Sequence, residues 1–317
     1  MKAENIKTVL VIGSGIMGPG IAQNFAESRL SVQLTYRNKE RLEQSLSQIE
    51  ANLRLFEEFG LLKEDISSIK SRIHPITIQG LADALERCDF VVETIPEDLQ
   101  LKKELFARLD SCRDEVILST NTGSFTISDI AEECRTASRI IGLHYFNPAH
   151  IMPLVEIHYG PQTQEEIIAT TKALMLRVGK IPIIIRKEIP GFVVNRLQAA
   201  VGREIDYLLD NSVVSPEEID IAAKACYGFR WSCIGSIESW DMVGLDLVSA
   251  GSGILYKSLS NSTEPSRTVA EKVQKGKLGI KSGQGMYDYT GKSKGEILEE
   301  KNRRLLKQLA LFRSLES

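Results

Sequence analysis

The sequence predicts an α/β protein in which a doubly wound, mostly parallel sheet is followed by an all-helical domain. A short apolar run at residues 8–12 leads into a glycine-rich turn, as a buried parallel strand does. Strand and helix patterns then alternate as far as residue 186, which indicates a parallel sheet with right-handed crossovers. After Pro190 only helical patterns remain. We therefore divide the chain into residues 1–187, the sheet domain, and residues 188–317, the helical domain.

Each predicted element follows from its hydrophobic pattern. The strands are short runs of β-branched and other apolar residues, at residues 8–12, 31–36, 89–95, 116–119, 140–144, 154–159 and 182–186. The helices carry apolar residues at spacings of three and four, at residues 18–29, 38–59, 64–72, 101–111, 193–211 and 216–227. A serine-rich stretch at residues 258–266 is expected to be a loop inside the second domain.

Composition argues against several classes of function. The net charge of −3 argues against a nucleic acid partner, which requires concentrated positive charge. No apolar run reaches the roughly 20 residues that a membrane-spanning helix needs, and the first residues are too polar for a secretory signal. The five cysteines lack the spacing of a metal site or a disulfide framework, so we expect no metal. We expect a soluble cytoplasmic protein, although a mitochondrial matrix protein without its transit peptide has the same features.

The first predicted strand ends in a G-x-G-x-x-G turn that opens a helix. Gly13 permits the tight turn, Gly15 lets the backbone approach a pyrophosphate, and Gly18 lets helix and strand pack closely. The N-terminus of the helix offers free N–H groups to the phosphates. The candidate cofactor contacts in this turn are Gly13, Gly15, Ile16, Met17 and Gly18. A purely structural glycine turn is the alternative, but the strand before it and the helix after it favour a Rossmann-type dinucleotide site.

The end of the second strand bears on the choice between NAD and NADP. NAD-specific folds place an Asp or Glu there to bind the ribose hydroxyls, whereas this chain has Tyr36 followed by Arg37. Without the carboxylate a 2′-phosphate is not repelled, and Arg37 has the charge to pair with it. The sequence therefore predicts NAD or NADP as the cofactor, with tolerance of NADP. The alternative is that Arg37 belongs to a solvated helix start and that NAD is bound loosely.

A longer pattern gives the chain a family resemblance. Together with the glycine turn, the stretch His144-Tyr-Phe-Asn147-Pro-Ala-His-Ile-Met-Pro-Leu-Val-Glu156 resembles the L-3-hydroxyacyl-CoA dehydrogenase family. Further similar stretches, in order along nearly the whole chain, are residues 91–99, 102–109, 121–122, 190–196 and 281–289. The resemblance implies oxidation of a 3-hydroxyacyl-CoA by hydride transfer to NAD(P), and a homodimer.

The resemblance also implies site residues. These are His144 and Glu156 as the acid–base pair, Asn195 and Asn147 beside them, and Glu97, Lys102 and Asn121 for the cofactor. For the two asparagines beside the pair, the alternative is helix capping or turn formation. For Glu97 and Lys102 it is a surface ion pair.

The chemistry of the pair agrees with this assignment. An alcohol that loses hydride needs a base for its hydroxyl proton, and an imidazole titrates near neutrality. A carboxylate on the other ring nitrogen orients the ring and stabilises the imidazolium. His144 and Glu156 lie in consecutive predicted strands, which can bring them together. His158, two residues beyond Glu156 and on the same strand face, is a rival base on spacing alone, and we expect its replacement to have little effect on activity.

Two departures from the family pattern leave the substrate open. Where the family has Asn-Thr-Ser-Ser, this chain has Asn121-Thr122-Gly123-Ser124. Either Ser124 or Thr122 replaces the first serine beside the substrate hydroxyl, or the pocket differs. Arg230, which precedes an aromatic residue, resembles the gulonate and carnitine dehydrogenase branch, whose substrates lack CoA. Its guanidinium is suited to clamp a carboxylate, and the alternative is a contact at helix ends or a dimer face.

Three functions are therefore compared. The first is a 3-hydroxyacyl-CoA dehydrogenase, the second a dehydrogenase of a small free 3-hydroxy acid that Arg230 holds, and the third a cofactor-binding structural protein. The third is considered because the branch includes a lens crystallin. His144 and Glu156 favour an enzyme, since a pure binder needs neither. Apolar residues at helical spacing along residues 193–209 predict a face that partly covers the first domain and partly forms an isologous dimer.

Overall fold

The structure is a computed structural model, and the residues it describes are 2–315. Its internal contacts divide it into two units. Among the described residues, the first reaches Asn195 and includes Leu305–Leu309, and the second is Arg196–Arg304 with residues 310–315. The boundary predicted at residue 187 lies a little before this division, and the return of Leu305–Leu309 to the first unit was not predicted.

The described part of the first unit contains one sheet of eight strands. They are β1 Thr8–Ile12, β2 Ser31–Tyr36, β3 Ile73–Thr77, β4 Phe90–Glu93, β5 Ile117–Thr120, β6 Ile140–Tyr145, β7 Leu154–His158 and β8 Ile181–Ile185. Their order across the sheet is β3-β2-β1-β4-β5-β6-β7-β8. All neighbouring pairs are parallel except β6 with β7. The order reverses between β1 and β4, which in such sheets marks a ligand crevice beyond the carboxyl ends of the strands.

Helices connect these strands and cover the sheet. They are α1 Gly18–Glu27, α2 Lys39–Glu58, α3 Ile66–Lys70, α4 Leu81–Arg87, α5 Leu99–Leu109, α6 Ile127–Ile130 and α7 Glu165–Arg177. Asn38 and Asp98 begin α2 and α5 by accepting the N–H groups of Arg41 and Leu101. The seven predicted strands are all present. The strand β3 and the helices α4, α6 and α7 were not predicted.

The core of the first unit lies on both faces of the sheet. Successive side chains of a strand point to opposite faces. Val9 and Val11 accordingly belong to one buried cluster, and Leu10 and Ile12 to the other. Burial on both faces explains why the central strands are continuous apolar runs rather than alternating ones, and it confirms the doubly wound arrangement.

The second unit is helical, and no strand follows β8 within the described residues. Its helices are α8 Val194–Asp210, which begins in the first unit, α9 Pro216–Ala222, α10 Gly228–Trp231, α11 Ser236–Val243, α12 Leu245–Leu255, α13 Arg267–Gln274 and α14 Lys294–Leu315, with a π-helical turn at Ala223–Tyr227. No described residue of α8 to α13 is buried. The all-helical prediction is confirmed. Among the residues that the structure describes, no helix is long and apolar enough to cross a membrane.

Candidate active site

The glycine turn lies between β1 and α1, as predicted. Gly13 has a φ of +118°, and a Cβ there would lie 2.7 Å from the hydroxyl oxygen of Thr94. A Cβ at Gly18 would lie 1.8 Å from the carbonyl oxygen of Gly13, so both positions require glycine. Gly15 is different, since its φ is not positive and no atom lies within 4 Å of where its Cβ would be. Neither backbone nor packing therefore requires glycine at position 15, and the open space there would admit the close approach of a dinucleotide phosphate.

The carboxyl end of β2 carries no acidic residue. Tyr36 is half-buried and Arg37 is exposed, and Asn38 caps α2. A dinucleotide bound at the glycine turn would therefore meet a neutral ring and a cation here. This arrangement fits the residues named for cofactor binding and leaves the preference between NAD and NADP as a proposal.

His144 and Glu156 are directly opposite each other in the antiparallel pair β6 and β7. The Nδ1 of His144 lies 2.8 Å from Oε2 of Glu156, whose side chain is fully buried. The other carboxylate oxygen, Oε1, accepts the N–H groups of Val193 and Val194 at 3.0 and 2.8 Å. Because the carboxylate accepts from Nδ1, that nitrogen carries the hydrogen and Nε2 is left with its lone pair. The arrangement supplies an oriented base.

The loop after β5 approaches Nε2 of His144. A Cβ at Gly123 would lie 3.1 Å from Nε2 and 3.3 Å from Nδ2 of Asn195, which donates to the Gly123 carbonyl at 3.2 Å. Glu97 holds the loop from the other side, because its Oε1 accepts the Gly123 N–H at 3.0 Å and the hydroxyl of Thr122 at 2.5 Å. His144, Asn195, Gly123 and Glu97 thus form one cluster within the first unit.

Lys102 does not form the surface ion pair considered as the alternative from the sequence. Its side chain is fully buried, and its ammonium contacts the two carboxylate oxygens of Glu93 at 2.8 and 2.9 Å and Oε2 of Glu97 at 3.4 Å. Burial raises the pKa of Glu93, while the ammonium opposes that change. Lys102 is therefore a buried counterion of Glu93 and Glu97, and its role toward the cofactor stays a prediction.

The remaining residues named in the first unit have mixed positions. The side-chain oxygen of Asn121 accepts the N–H of Tyr145 at 2.8 Å and so ties the end of β5 to β6. Ser124 is exposed and its N–H donates to the Thr122 hydroxyl. Asn147 is exposed just after β6, and its peptide bond to Pro148 is cis. Their roles toward cofactor or substrate stay proposals.

His158 cannot be the rival base. It is 1% exposed, and burial, with a smaller contribution from His144, lowers its pKa to about 3. Its ring packs on Phe192, with ring centroids 4.0 Å apart. It is also unsuitable as a silent control, because its replacement would disturb that packing.

The burial of His158 makes stability depend on pH. Unfolded, the imidazole binds a proton near its ordinary pKa of about 6.5. Folded, it does so only near pH 3. The unfolded state therefore binds more protons between these values, and stability falls as pH drops below about 6.5. We expect the wild type to lose about 2 kcal/mol more than His158→Phe between pH 7.5 and pH 5. Urea unfolding at the two pH values measures this, and equal losses in both proteins would contradict it.

Arg230 belongs to the second unit. It is exposed and lies on α10, directly after the π-helical turn, with a guanidinium nitrogen 4.0 Å from Sγ of Cys226. It lines a cavity of about 300 Å³ together with Ala225, Cys226, Phe229, Cys233 and Ile234. An arginine in an apolar cavity is suited to a carboxylate. Within residues 2–315, no group of three or more His, Cys, Asp or Glu is arranged to hold a metal ion.

Several residues of the site were missed from the sequence. Glu93 is a carboxylate inside the apolar run of β4, and that contrast was the available signal. The backbone donors Val193 and Val194 carry no signal at all, because the contact uses N–H groups that almost every residue has.

Comparison with known proteins identifies the family to which the sequence is similar. Residues 8–189 match the family model "3-hydroxyacyl-CoA dehydrogenase, NAD binding domain" and residues 191–289 match "3-hydroxyacyl-CoA dehydrogenase, C-terminal domain". A probable 3-hydroxybutyryl-CoA dehydrogenase of Bacillus subtilis is 34% identical over 91% of this chain and 99% of its own.

A second relative has a different kind of substrate in its name. The 5-formyl-3-hydroxy-2-methylpyridine 4-carboxylate 5-dehydrogenase of Mesorhizobium japonicum is 29% identical over 95% of this chain and 96% of its own. A solved structure described as such a dehydrogenase, an NAD-dependent dismutase, superposes with a TM-score of 0.88 at 30% identity, covering 98% of this chain and 99% of that one. With both family models matched in order, the chain belongs to the 3-hydroxyacyl-CoA dehydrogenase family of NAD-dependent oxidoreductases.

Proposed function

We propose that the chain oxidises an alcohol carbon with His144 as the base and Glu156 as the group that orients it. The observation that carries this proposal is the 2.8 Å contact from Nδ1 of His144 to a fully buried carboxylate, which leaves Nε2 as the acceptor. NAD, when bound, supplies the hydride acceptor. His144 takes the hydroxyl proton at Nε2 in oxidation and returns it in reduction.

Glu156 stabilises the protonated ring that this step creates. Its negative charge lies beside the imidazolium, in a site with little exposed surface. The N–H groups of Val193 and Val194, at the beginning of α8, donate to its second oxygen and hold the carboxylate in place. A carboxylate anchored at one oxygen cannot rotate away from the ring, so the base keeps its orientation between turnovers.

Asn195 and the loop of Gly123 lie where the substrate oxygen must arrive. The hydroxyl that gives its proton to Nε2 comes within hydrogen-bond distance of that atom. A Cβ at Gly123 would lie 3.1 Å from Nε2 and 3.3 Å from Nδ2 of Asn195, so both nitrogens border the same space. We propose that Asn195 assists in holding the substrate oxygen, and that Glu97 and Asn121 hold the surrounding backbone for the cofactor.

The family to which the chain belongs suggests a 3-hydroxyacyl-CoA as substrate, oxidised to the 3-oxoacyl-CoA. A small free acid is the second candidate, and Gly123 is the specific observation that favours it. The position has no positive φ, so its backbone does not require glycine. Its lack of a side chain leaves room beside the base and removes the serine hydroxyl of the usual family pattern. In this candidate, Arg230 binds the carboxylate.

The pyridine relative extends the second candidate to aldehydes. Its name describes oxidation of a formyl group on a ring that also carries a carboxylate. A hydrated aldehyde has two hydroxyl groups on the reacting carbon, and its oxidation gives a carboxylic acid. The second oxygen needs space beside Nε2, which Gly123 provides.

A substrate panel tests the proposal. We expect reduction of NAD, followed at the nicotinamide absorbance, with one of three substrate classes: 3-hydroxybutyryl-CoA and longer thioesters, free 3-hydroxy acids, or aromatic aldehydes with a carboxylate. Each is assayed with NAD and with NADP. Saturation with the thioester while the free acids and aldehydes are inert would exclude the second candidate. Absence of reduction with every compound would count against the proposed reaction.

The cofactor preference is predicted from β2. We propose that NADP binds at least as well as NAD. The end of β2 lacks the carboxylate that would repel a 2′-phosphate, and Arg37 next to it has the charge to attract one. A charged hydrogen bond contributes about 1.5–3 kcal/mol, so Arg37→Asp should weaken NADP roughly tenfold to a hundredfold and leave NAD nearly unchanged. Fluorescence titration measures both affinities. Lys63→Asp, the same charge change at an exposed loop position, is the control, and an unchanged NADP affinity in Arg37→Asp would refute the role of Arg37.

The assembly is predicted from the second unit. Large apolar side chains are exposed along its helices, among them Leu197, Phe229, Trp231, Trp240, Met242, Leu245, Leu247 and Ile254. Monomers rarely expose so much apolar surface, and we propose that an isologous dimer covers it. Light scattering at micromolar concentration should give twice 35.3 kDa, and Leu247→Asp should lower that mass. A monomer mass for the wild type would contradict the dimer.

A further inference from the structure

Behind the proposed acid–base pair, the same face of the sheet holds a second histidine in an unusual setting. His158 pairs with Gly142 across β6 and β7, next to the pair of His144 with Glu156. Its imidazole lies flat over the glycine, since a Cβ at Gly142 would be 1.9 Å from Nε2 of His158. Gly142 has no positive φ, so its backbone does not require glycine. The missing side chain makes room for the ring.

The other side of the ring supports a turn. Phe192, 1% exposed, packs on His158 with ring centroids 4.0 Å apart and planes 30° apart. Its φ of +51° lies in the left-handed region that residues other than glycine rarely adopt. Such a conformation persists where surrounding contacts hold it in place. The preceding Gly191 also has a positive φ, of 76°.

The two N–H groups that bind Glu156 directly follow this turn. Val193 and Val194 follow Phe192 directly and donate to Oε1. A displacement of Phe192 would therefore move these donors and release the carboxylate that orients His144. Gly142 thus leaves space for His158, His158 packs on Phe192, and Phe192 positions the N–H groups that bind Glu156.

We propose that His158 is a positioning residue that supports this turn with a neutral ring. This inference rests on the proposed function of His144 and Glu156. Both ring nitrogens of His158 are buried, and neither has a hydrogen-bond partner within the described residues. Such unsatisfied polar groups are rare, so the ring is kept for its shape and position rather than for a hydrogen bond.

The charge state of the ring fits this role. The titratable groups around it are His144 on β6 and Glu156 on β7, while the positions beside Glu156 and His158 on β8 are Ile183 and Ile185. Burial keeps His158 neutral near pH 7. It therefore adds no positive charge to compete with the imidazolium of His144 for the single carboxylate.

The experiment compares His158→Leu, which removes the ring, with His158→Phe, which keeps a ring against Phe192. The first readout needs no substrate: it is the far-downfield proton resonance of a histidine N–H bonded to a carboxylate, assigned by its loss in Glu156→Gln. We expect the resonance in wild type and His158→Phe and its loss in His158→Leu. His74→Leu, at an exposed position of β3, should keep it.

The second readout is turnover with the compound of the panel that reacts fastest. We expect kcat to fall by up to about a hundredfold in His158→Leu, because small misplacements of reacting groups have costs of that size, while NAD affinity is unchanged. The pH profile of kcat should also change in His158→Leu and be restored in His158→Phe. If His158→Leu does not fold, Phe192→Leu is substituted for it with the same expectation.

A folded His158→Leu variant that keeps the resonance and the wild-type pH profile would overturn the proposal. Loss of the resonance in His158→Phe as well would also overturn it, since ring support would then not explain the effect. Absence of turnover on the whole panel would count against the proposed function. The resonance would still test His158.

Discussion

His144→Gln should lower kcat by about 10²- to 10⁴-fold, the usual contribution of a general base. The glutamine keeps a polar side chain at the end of β6 but has no nitrogen that takes up a proton near neutral pH. NAD affinity should barely change, because the glycine turn proposed to bind NAD lies between β1 and α1, whereas His144 lies on β6. Steady-state kinetics with the reactive compound of the panel, together with fluorescence titration of NAD, measure both quantities.

The matched control for this variant is His74→Gln. His74 lies on the edge strand β3 and is exposed, so the same substitution there should leave kcat within twofold of the wild type. Near-wild-type turnover in His144→Gln would show that another group removes the hydroxyl proton. That group would not be His158, which is buried and neutral.

Glu156→Gln should also lower kcat, and the structure gives a reason beyond the lost charge. The carboxylate accepts three donors: Nδ1 of His144 and the N–H groups of Val193 and Val194. A glutamine has one oxygen and one NH₂ group. If its oxygen keeps the N–H groups of Val193 and Val194, its NH₂ group faces Nδ1 of His144, which must then be the unprotonated ring nitrogen. Nε2 then carries the hydrogen and has no lone pair with which to act as the base. Retention of full activity would contradict the role given to Glu156.

The parts of the site that sequence predicted are those whose chemistry is local. Gly13, Gly15 and Gly18 could be assigned because their spacing occurs between a predicted strand and a predicted helix, and in the structure the turn joins β1 to α1, whose first residue is Gly18. His144 and Glu156 were assigned from the family resemblance, with consecutive strands able to bring them together, and they are direct neighbours in the sheet.

The elements that the sequence did not predict depend on contacts between residues distant in sequence, or have a residue pattern that does not indicate one type of secondary structure. The strand β3 contains Pro75, which argues against a central strand, but it lies at the edge of the sheet, where proline is tolerated. The segment Leu305–Leu309 packs Leu306 and Leu309 against Phe56 and Ile151, a contact across most of the chain that no local pattern records.

Lys102 shows the same limit at a functional position. The family resemblance implied a cofactor contact for Lys102, and its spacing from Glu97 allowed a surface ion pair as the alternative. The spacing does not show that the ammonium of Lys102 also reaches Glu93, which lies on the fully buried strand β4. Only the packing of α5 on the sheet makes Lys102 a buried counterion.

Because Lys102 is the counterion of a buried carboxylate, Lys102→Met should destabilise the protein by about 3–5 kcal/mol at neutral pH. Methionine has nearly the same length and fills the space, so the loss does not come from a cavity. It comes from the carboxylate of Glu93, which stays buried with the Thr120 hydroxyl and the Ile95 N–H as its remaining donors. The free energy of unfolding from urea titration measures the effect.

Two further variants separate charge from packing. Adding Glu93→Gln to Lys102→Met removes the uncompensated charge and should recover most of the lost stability, as neutral replacements of buried ion pairs do. Lys103→Met removes the neighbouring lysine, whose partner Glu132 is exposed, and should change stability by no more than about 1 kcal/mol. A double variant no more stable than Lys102→Met would contradict the charge explanation.

The pH dependence gives an independent check. Burial already raises the pKa of Glu93, and the loss of the ammonium raises it further. A carboxyl whose folded-state pKa exceeds its unfolded value binds more protons when folded, so the destabilisation is present at high pH and disappears as pH falls through the folded-state pKa. The difference in stability between Lys102→Met and the double variant should therefore shrink steadily as the pH is lowered from 8 to 5. A difference that is independent of pH would show that Glu93 is not the group responsible.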